Sequence, residues 1–191
     1  MRPILLNPGP VSLSESVREA VAHVDLCHRE PEYFELQDKV ISGLLDIYQC
    51  DPAVWAAVLL GGSGTSALEA MVSSLIPSDA NILVLENGVY GERLSRIAQV
   101  YGLRSHALKA GWGDAIDMQA TADLLATGDF SHVLAVHHET TTGRLNPVDE
   151  IADLCGEHQV QLLLDAVSSF GAESIPFEHE SLLAAAATAN K

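Results

Sequence analysis

Two residues of opposite charge end two apolar stretches: Asp165 closes Gln161-Leu-Leu-Leu-Asp165, and Lys191 follows Ala184-Ala-Ala-Ala-Thr-Ala-Asn190. A carboxylate at the end of a buried strand is costly unless a cation meets it, and a protonated pyridine nitrogen is such a cation. A lysine amine on a small-residue segment can condense with an aldehyde once desolvation lowers its pKa. With a glycine-rich turn at Gly61-Gly62-Ser63-Gly64-Thr65 to take a phosphate, these are the parts a pyridoxal-phosphate site requires. Taken alone, Asp165 can equally cap a helix or meet an internal lysine.

The glycine turn admits other readings. A Walker P-loop fails, since no Gly-Lys-Ser/Thr follows at the required spacing. A nucleophile elbow G-x-S-x-G nearly fits around Ser63, with Thr65 at its last position, and Asp165 and His179 follow in the order hydrolases use. A dinucleotide fingerprint is met by Gly62, Gly64 and Ala67, with Glu86 at the next strand end as the ribose acid. A strand-to-helix reversal also needs glycine for purely structural reasons. The turn alone does not choose.

Thr140-Thr-Thr-Gly143 follows an apolar run and offers hydroxyls to a ring oxygen or an anion, and Tyr90 in Asn87-Gly-Val-Tyr-Gly91 offers a flat ring for stacking. His137 and His138 are adjacent, so on a strand they face opposite ways and cannot share a metal. No H-E-x-x-H motif or Cys/His cluster is present, and no metal site is expected.

The elements that must position these residues read as follows. Ser14 caps a helix over 15–22, and apolar spacing predicts a second helix over 32–48. From residue 57, apolar runs at 57–60, 82–85, 105–108, 133–136 and 162–164 alternate with helical patterns at 66–75, 92–101, 118–126 and 148–158. The alanine-rich stretch at 184–189 reads as a buried strand. Continuous apolar strands each followed by a helix predict a mostly parallel sheet covered on both faces, an α/β three-layer sandwich whose ligands bind at the strands' carboxyl ends.

Composition agrees with a folded domain: 191 residues, 48% hydrophobic and 19% charged. A formal charge of −16 repels phosphate backbones and anionic membrane surfaces, so nucleic acid and membrane partners are not expected. The three cysteines, Cys27, Cys50 and Cys155, form no C-x-x-C pair and no even framework, which points to a reducing, cytoplasmic compartment. Neither a signal peptide nor a membrane span is expected.

The segments Leu5-Leu-Asn-Pro-Gly-Pro-Val11, Asp25-Leu-Cys-His-Arg-Glu-Pro-Glu32, Gly62-Ser-Gly-Thr65, Glu86-Asn-Gly-Val-Tyr-Gly-Glu-Arg93, His138-Glu-Thr-Thr-Thr-Gly-Arg-Leu-Asn-Pro147, Leu164-Asp-Ala-Val-Ser-Ser169 and Asn190-Lys191 come in an order and spacing that resemble the class V aminotransferases, of the aspartate-aminotransferase fold. The resemblance implies pyridoxal 5'-phosphate as cofactor, with Lys191 as its amine partner and Asp165 on the pyridine nitrogen. It implies Val167 beneath the ring, Tyr90 stacked on the other face, Thr140 on the phenolic oxygen, and Ser63, Gly64 and Thr65 on the phosphate.

It further implies amino transfer from 2-aminoethylphosphonate to pyruvate by a homodimer, in phosphonate catabolism; only local cations can draw such an anion to an acidic chain, and Arg29 and Arg93 are the candidates, each also readable as a surface or salt-bridge residue. Alanine–glyoxylate or serine–pyruvate exchange is open within the same family. A nicotinamide-dependent oxidoreductase and a truncated, non-catalytic dimerising module are the readings outside it. By this resemblance residues 1–31 form an arm and first helix, and residues 32–191 a cofactor-binding large domain. The family's C-terminal small domain, with its substrate-carboxylate arginine, is not in the chain, which reads as a fragment or a natural truncation ending at the cofactor lysine.

Overall fold

The computed structural model describes residues 4–22 and 25–190. The described residues divide into two compact units, 4–22 and 25–59 with 190, and 60–189. The sequence reading instead starts its large domain at residue 32.

In the first unit, helix α1 (Glu15–Val21) is capped by Ser14, whose hydroxyl accepts from the Val17 N–H. Helix α2 (Pro31–Asp46) begins on a proline, whose fixed φ suits the first turn and whose missing N–H costs nothing there. Neither helix has a buried residue. The strand expected over 57–60 does not form: Val58 is 76% and Leu60 51% exposed. An apolar run becomes a strand only when a neighbour takes up its backbone hydrogen bonds, and this one joins no ladder among the described residues.

The second unit is built on five parallel strands, β1 (Asn81–Glu86), β2 (Arg104–Lys109), β3 (His132–Val136), β6 (Gln161–Asp165) and β7 (Leu182–Ala186), in the order β2-β1-β3-β6-β7. Between β3 and β6 the chain makes a two-stranded antiparallel ladder, β4 (His138–Glu139) with β5 (Arg144–Leu145), which the sequence reading does not contain. Four helices complete the unit: α3 (Gly64–Leu75), α4 (Val89–Val100), α5 (Met118–Leu125) and α6 (Val148–Glu157).

Continuous apolar strands follow from burial on both faces. Ile82, Val84, Leu134, Val136, Leu163 and Ala186 form one core with α3 and α4. The alternate residues Leu83, Leu85, Val133, Ala135, Leu162 and Leu164 are just as inaccessible, while α5 packs on α6 and α6 on β6. At about 25 cal/mol per Å² of apolar surface, each fully buried leucine contributes about 2 kcal/mol, so this double-sided core dominates the unit's stability.

The chain steps from β1 to β2 on one side and then returns to place β3 on the other side of β1. Loops leaving the carboxyl ends of β1 and β3 therefore diverge, opening the crevice in which parallel sheets bind ligands. Behind that crevice the two loops are tied by a buried amide pair. Asn87 Nδ2 donates to Asn146 Oδ1 (2.8 Å), and Asn146 Nδ2 donates to Asn87 Oδ1 (3.3 Å) and to the Val136 carbonyl (2.8 Å).

Candidate functional site

Of the candidate residues with described positions, Asp165, Tyr90, Thr140 and Val167 lie at or beyond the carboxyl ends of strands in the second unit, Ser63, Gly64 and Thr65 open α3 in the same unit, and Arg29 lies in the first unit. Asp165 is the last residue of β6, 3% exposed, and its Oδ1 accepts from the Val167 N–H at 2.9 Å. That bond turns the chain so that Val167 lies against the start of α3. A Cβ on Gly64 would sit 3.0 and 3.1 Å from the Val167 methyls, tighter than nine in ten real Cβ contacts. Any larger residue at 64 would have to displace the Val167 side chain by a few tenths of an ångström.

The first turn of α3 is shaped by its own side chains. Ser63 is the N-cap, its hydroxyl accepting from the Ser66 N–H (3.3 Å), and the Ser66 hydroxyl accepts in return from the Ser63 N–H (3.4 Å). Thr65 Oγ1 accepts from Arg93 Nη1 at 3.1 Å. The same guanidinium lies over the Tyr90 ring, 4.6 Å from its centroid, a cation–π geometry that fixes one face of the ring. Of the two candidate cations, Arg93 joins Thr65 to Tyr90, and Arg29 is an exposed residue of the first unit.

Tyr90 stands in the first turn of α4. Its N–H donates to Glu139 Oε2 (3.0 Å), as does that of Gly91 (3.3 Å), and Glu139 Oε1 accepts from the Thr141 hydroxyl (2.6 Å) and N–H (3.4 Å). Glu139 is fully buried, and half-buried Thr140 lies between it and Thr141. An unbroken run of contacts and chain neighbours therefore leads from Asp165 through Val167, Gly64, Thr65, Arg93, Tyr90 and Glu139 to Thr140. Lys191 lies outside the described residues.

Glu139 is absent from the sequence reading. The signal was there in the form already applied to Asp165, an acid just past an apolar strand that needs donors if it is buried.

Two competing readings lose their residues. Glu86 is 4% exposed, accepts from the Ser95 hydroxyl and lies 3.5 Å from Lys109 Nζ, so it does not present a carboxylate to a ribose diol. The glycine turn also follows no strand of the sheet, as a dinucleotide fingerprint requires. The hydrolase triad does not assemble, because the His179 ring is taken by Asp153 (3.3 Å) on one nitrogen and Ser181 (2.9 Å) on the other.

Burial holds His137 below the usual histidine range, against the raising influence of Glu173 and Asp149, and His138 lowers it further. His138 itself faces the other way, its Nδ1 3.2 Å from Ser168 Oγ. Among the described residues no group of three or more His, Cys, Asp or Glu side chains is placed to hold a metal ion, and no helix is long and apolar enough to cross a membrane.

The sequence profile described as Aminotransferase class-V matches residues 55–185, more than half of the chain and the whole of this constellation. The chain belongs to the aminotransferase class-V family. It is 36% identical over 185 residues to the 2-aminoethylphosphonate–pyruvate transaminase of Phocaeicola vulgatus, covering 95% of this chain and 50% of that protein. It is 40% identical over 183 residues to the enzyme of the same name from Pseudomonas putida strain GB-1, covering 92% and 49%.

Among solved structures, pyridoxamine-pyruvate aminotransferase from Mesorhizobium loti superposes with a TM-score of 0.91 at 32% identity, over 99% of this chain and 48% of that one. The chain spans about half the length of the relatives it matches.

Proposed function

We propose that the protein is a pyridoxal-phosphate-dependent aminotransferase that moves the amino group of 2-aminoethylphosphonate to pyruvate, giving phosphonoacetaldehyde and L-alanine, and that it works as a cytoplasmic homodimer. The observation that carries this reading is the run of contacts joining Asp165, Val167, Gly64, Thr65, Arg93, Tyr90 and Glu139, with Thr140 the chain neighbour of Glu139. Family membership and the names of the relatives support the substrate pair.

The described residues fit the cofactor. The twelve-residue helix α3 presents its N-terminal N–H groups and the Ser63 and Thr65 hydroxyls, donors suited to a phosphate dianion. Tyr90 and Val167 are flat and apolar surfaces suited to an aromatic ring, and Asp165 is a buried acid suited to a protonated ring nitrogen.

When bound, pyridoxal phosphate supplies an electron sink that acidifies the substrate's Cα–H. The chain's residues do the rest. Asp165 would hold a proton on the ring nitrogen, Thr140 would orient the ring by a hydrogen bond from its hydroxyl, and Lys191 Nζ would take the substrate's Cα proton as a base and give it up again as an acid. In this reading residues 32–191 are the large domain that carries every one of these groups.

The test is an absorption spectrum and an alanine assay on the full-length protein. A visible cofactor band, alanine formed from pyruvate with 2-aminoethylphosphonate as donor, and loss of turnover in Asp165→Asn are expected. Turnover confined to alanine with glyoxylate, or serine with pyruvate, would replace the substrate pair. A protein that stays colourless with added cofactor would defeat the reading.

A further inference from the structure

Helix α4 begins at Gly88, a residue with no side chain to accept from the free N–H groups of the first turn. Helices normally meet this need with Ser, Thr, Asp or Asn at the N-cap. Here the acceptor comes from elsewhere: Glu139 Oε2 receives the N–H groups of Tyr90 and Gly91, 49 and 48 residues earlier in the chain.

The capping carboxylate fills the space a side chain at residue 88 would need. A Cβ on Gly88 would lie 2.4 Å from Glu139 Cδ and Cγ. The glycine of the Tyr90 loop and the glutamate of the Thr140 loop are thus two halves of one fitting.

A carboxylate also suits the positive end of a twelve-residue helix, and its second oxygen is bound by Thr141. Glu139 is therefore fixed at both ends, to the loop after β1 by Oε2 and to the loop after β3 by Oε1. These are the two loops that diverge at the sheet's switch point.

We propose that Glu139 is a positioning residue of the cofactor site: a cap supplied in trans that sets the Tyr90 ring and the Thr140 hydroxyl at a fixed separation, so that both meet the same bound ring. The inference rests on the pyridoxal-phosphate reading above and assigns Glu139 no contact with the cofactor. Its effect passes through Tyr90 on one side and Thr140 on the other.

The experiment is a double-mutant cycle on cofactor affinity, with pyridoxal phosphate itself as the probe, in the full-length protein. Glu139→Gln keeps the shape and the Oε1 acceptor but puts an amide NH2 where two N–H groups need an acceptor. Tyr90→Ala removes the stacking ring. Each is expected to weaken pyridoxal phosphate binding about tenfold, and the double variant to fall well short of about a hundredfold, because the two changes act on one arrangement.

The induced circular dichroism of the bound cofactor should shrink in Glu139→Gln at saturating cofactor, a sign of lost orientation that a stability defect alone does not give. Should Glu139→Gln not yield folded protein, Thr141→Val, which removes only the hydroxyl on Oε1, replaces it in the same cycle with the same expectation. Additive losses, or unchanged affinity and dichroism with a wild type that binds, overturn the positioning role while leaving the proposed function standing. A wild type that binds no pyridoxal phosphate overturns both.

Discussion

Replacing Asn146 by alanine isolates the scaffold behind the site from the site itself. Asn146 is 3% exposed and its side chain takes part in three hydrogen bonds, two shared with Asn87 and one to the Val136 carbonyl. At about 1 kcal/mol net for each, with buried acceptors on Asn87 and Val136 left short of a donor, Asn146→Ala should cost about 3 kcal/mol of unfolding free energy. For a chain of this size that corresponds to a fall of roughly 6–12 °C in Tm.

The assay is urea unfolding followed by circular dichroism, with Asn87→Ala and the double variant completing a cycle. Two of the three bonds are common to both residues, so the single losses should exceed the double loss by about 1–2 kcal/mol. As a control, Asn81→Ala removes one exposed bond to the Asp129 carbonyl and should stay within about 0.5 kcal/mol of wild type. A loss below about 1 kcal/mol for Asn146→Ala, or strict additivity with Asn87→Ala, would refute the claim that this pair ties the two loops together.

Two further outcomes follow from burial. His132 and His137 have pKa values lowered by desolvation, so the unfolded chain binds more protons than the folded one as pH drops through about 6.5, and folding stability contributed by these groups is lost on the acid side; the drop in urea midpoint between about pH 8 and pH 5.5 should be larger in wild type than in a His132→Gln/His137→Gln variant, and an equal drop in both would contradict it. Burial pushes the Cys155 thiol up to about 12 while Cys27 is exposed, so Ellman's reagent should modify Cys27 in native protein and Cys155 only on unfolding, as read by peptide mass; native labelling of Cys155 would disprove the packing of α6.

The sheet was legible because a strand buried on both faces is written as an uninterrupted apolar run. Ile82–Leu85, Val133–Val136 and Leu162–Leu164 each appear within two residues of the observed bounds. Ala57–Leu60 has the same composition and forms no strand, since pairing is a property of the neighbour and not of the run. The β4–β5 ladder, two residues a side, is too short to leave a period in the sequence.

In the proposed site, Asp165, Tyr90 and Thr140 stood out in the sequence because each ends or follows an apolar run. Glu86 does so too, yet its carboxylate is engaged by a serine on the following helix, a contact that depends on how α4 packs. Glu139 escaped because its donors are backbone N–H groups, which every residue has and no sequence pattern marks.

The trans cap also bears on the order in which the molecule takes shape during synthesis. Tyr90 leaves the ribosome 49 residues ahead of the glutamate that receives its N–H. Until β3 and the turn beyond it have emerged, the leading turn of α4 lacks that acceptor and frays. The Tyr90 turn is therefore finished only after β3 and the glutamate beyond it have been synthesised.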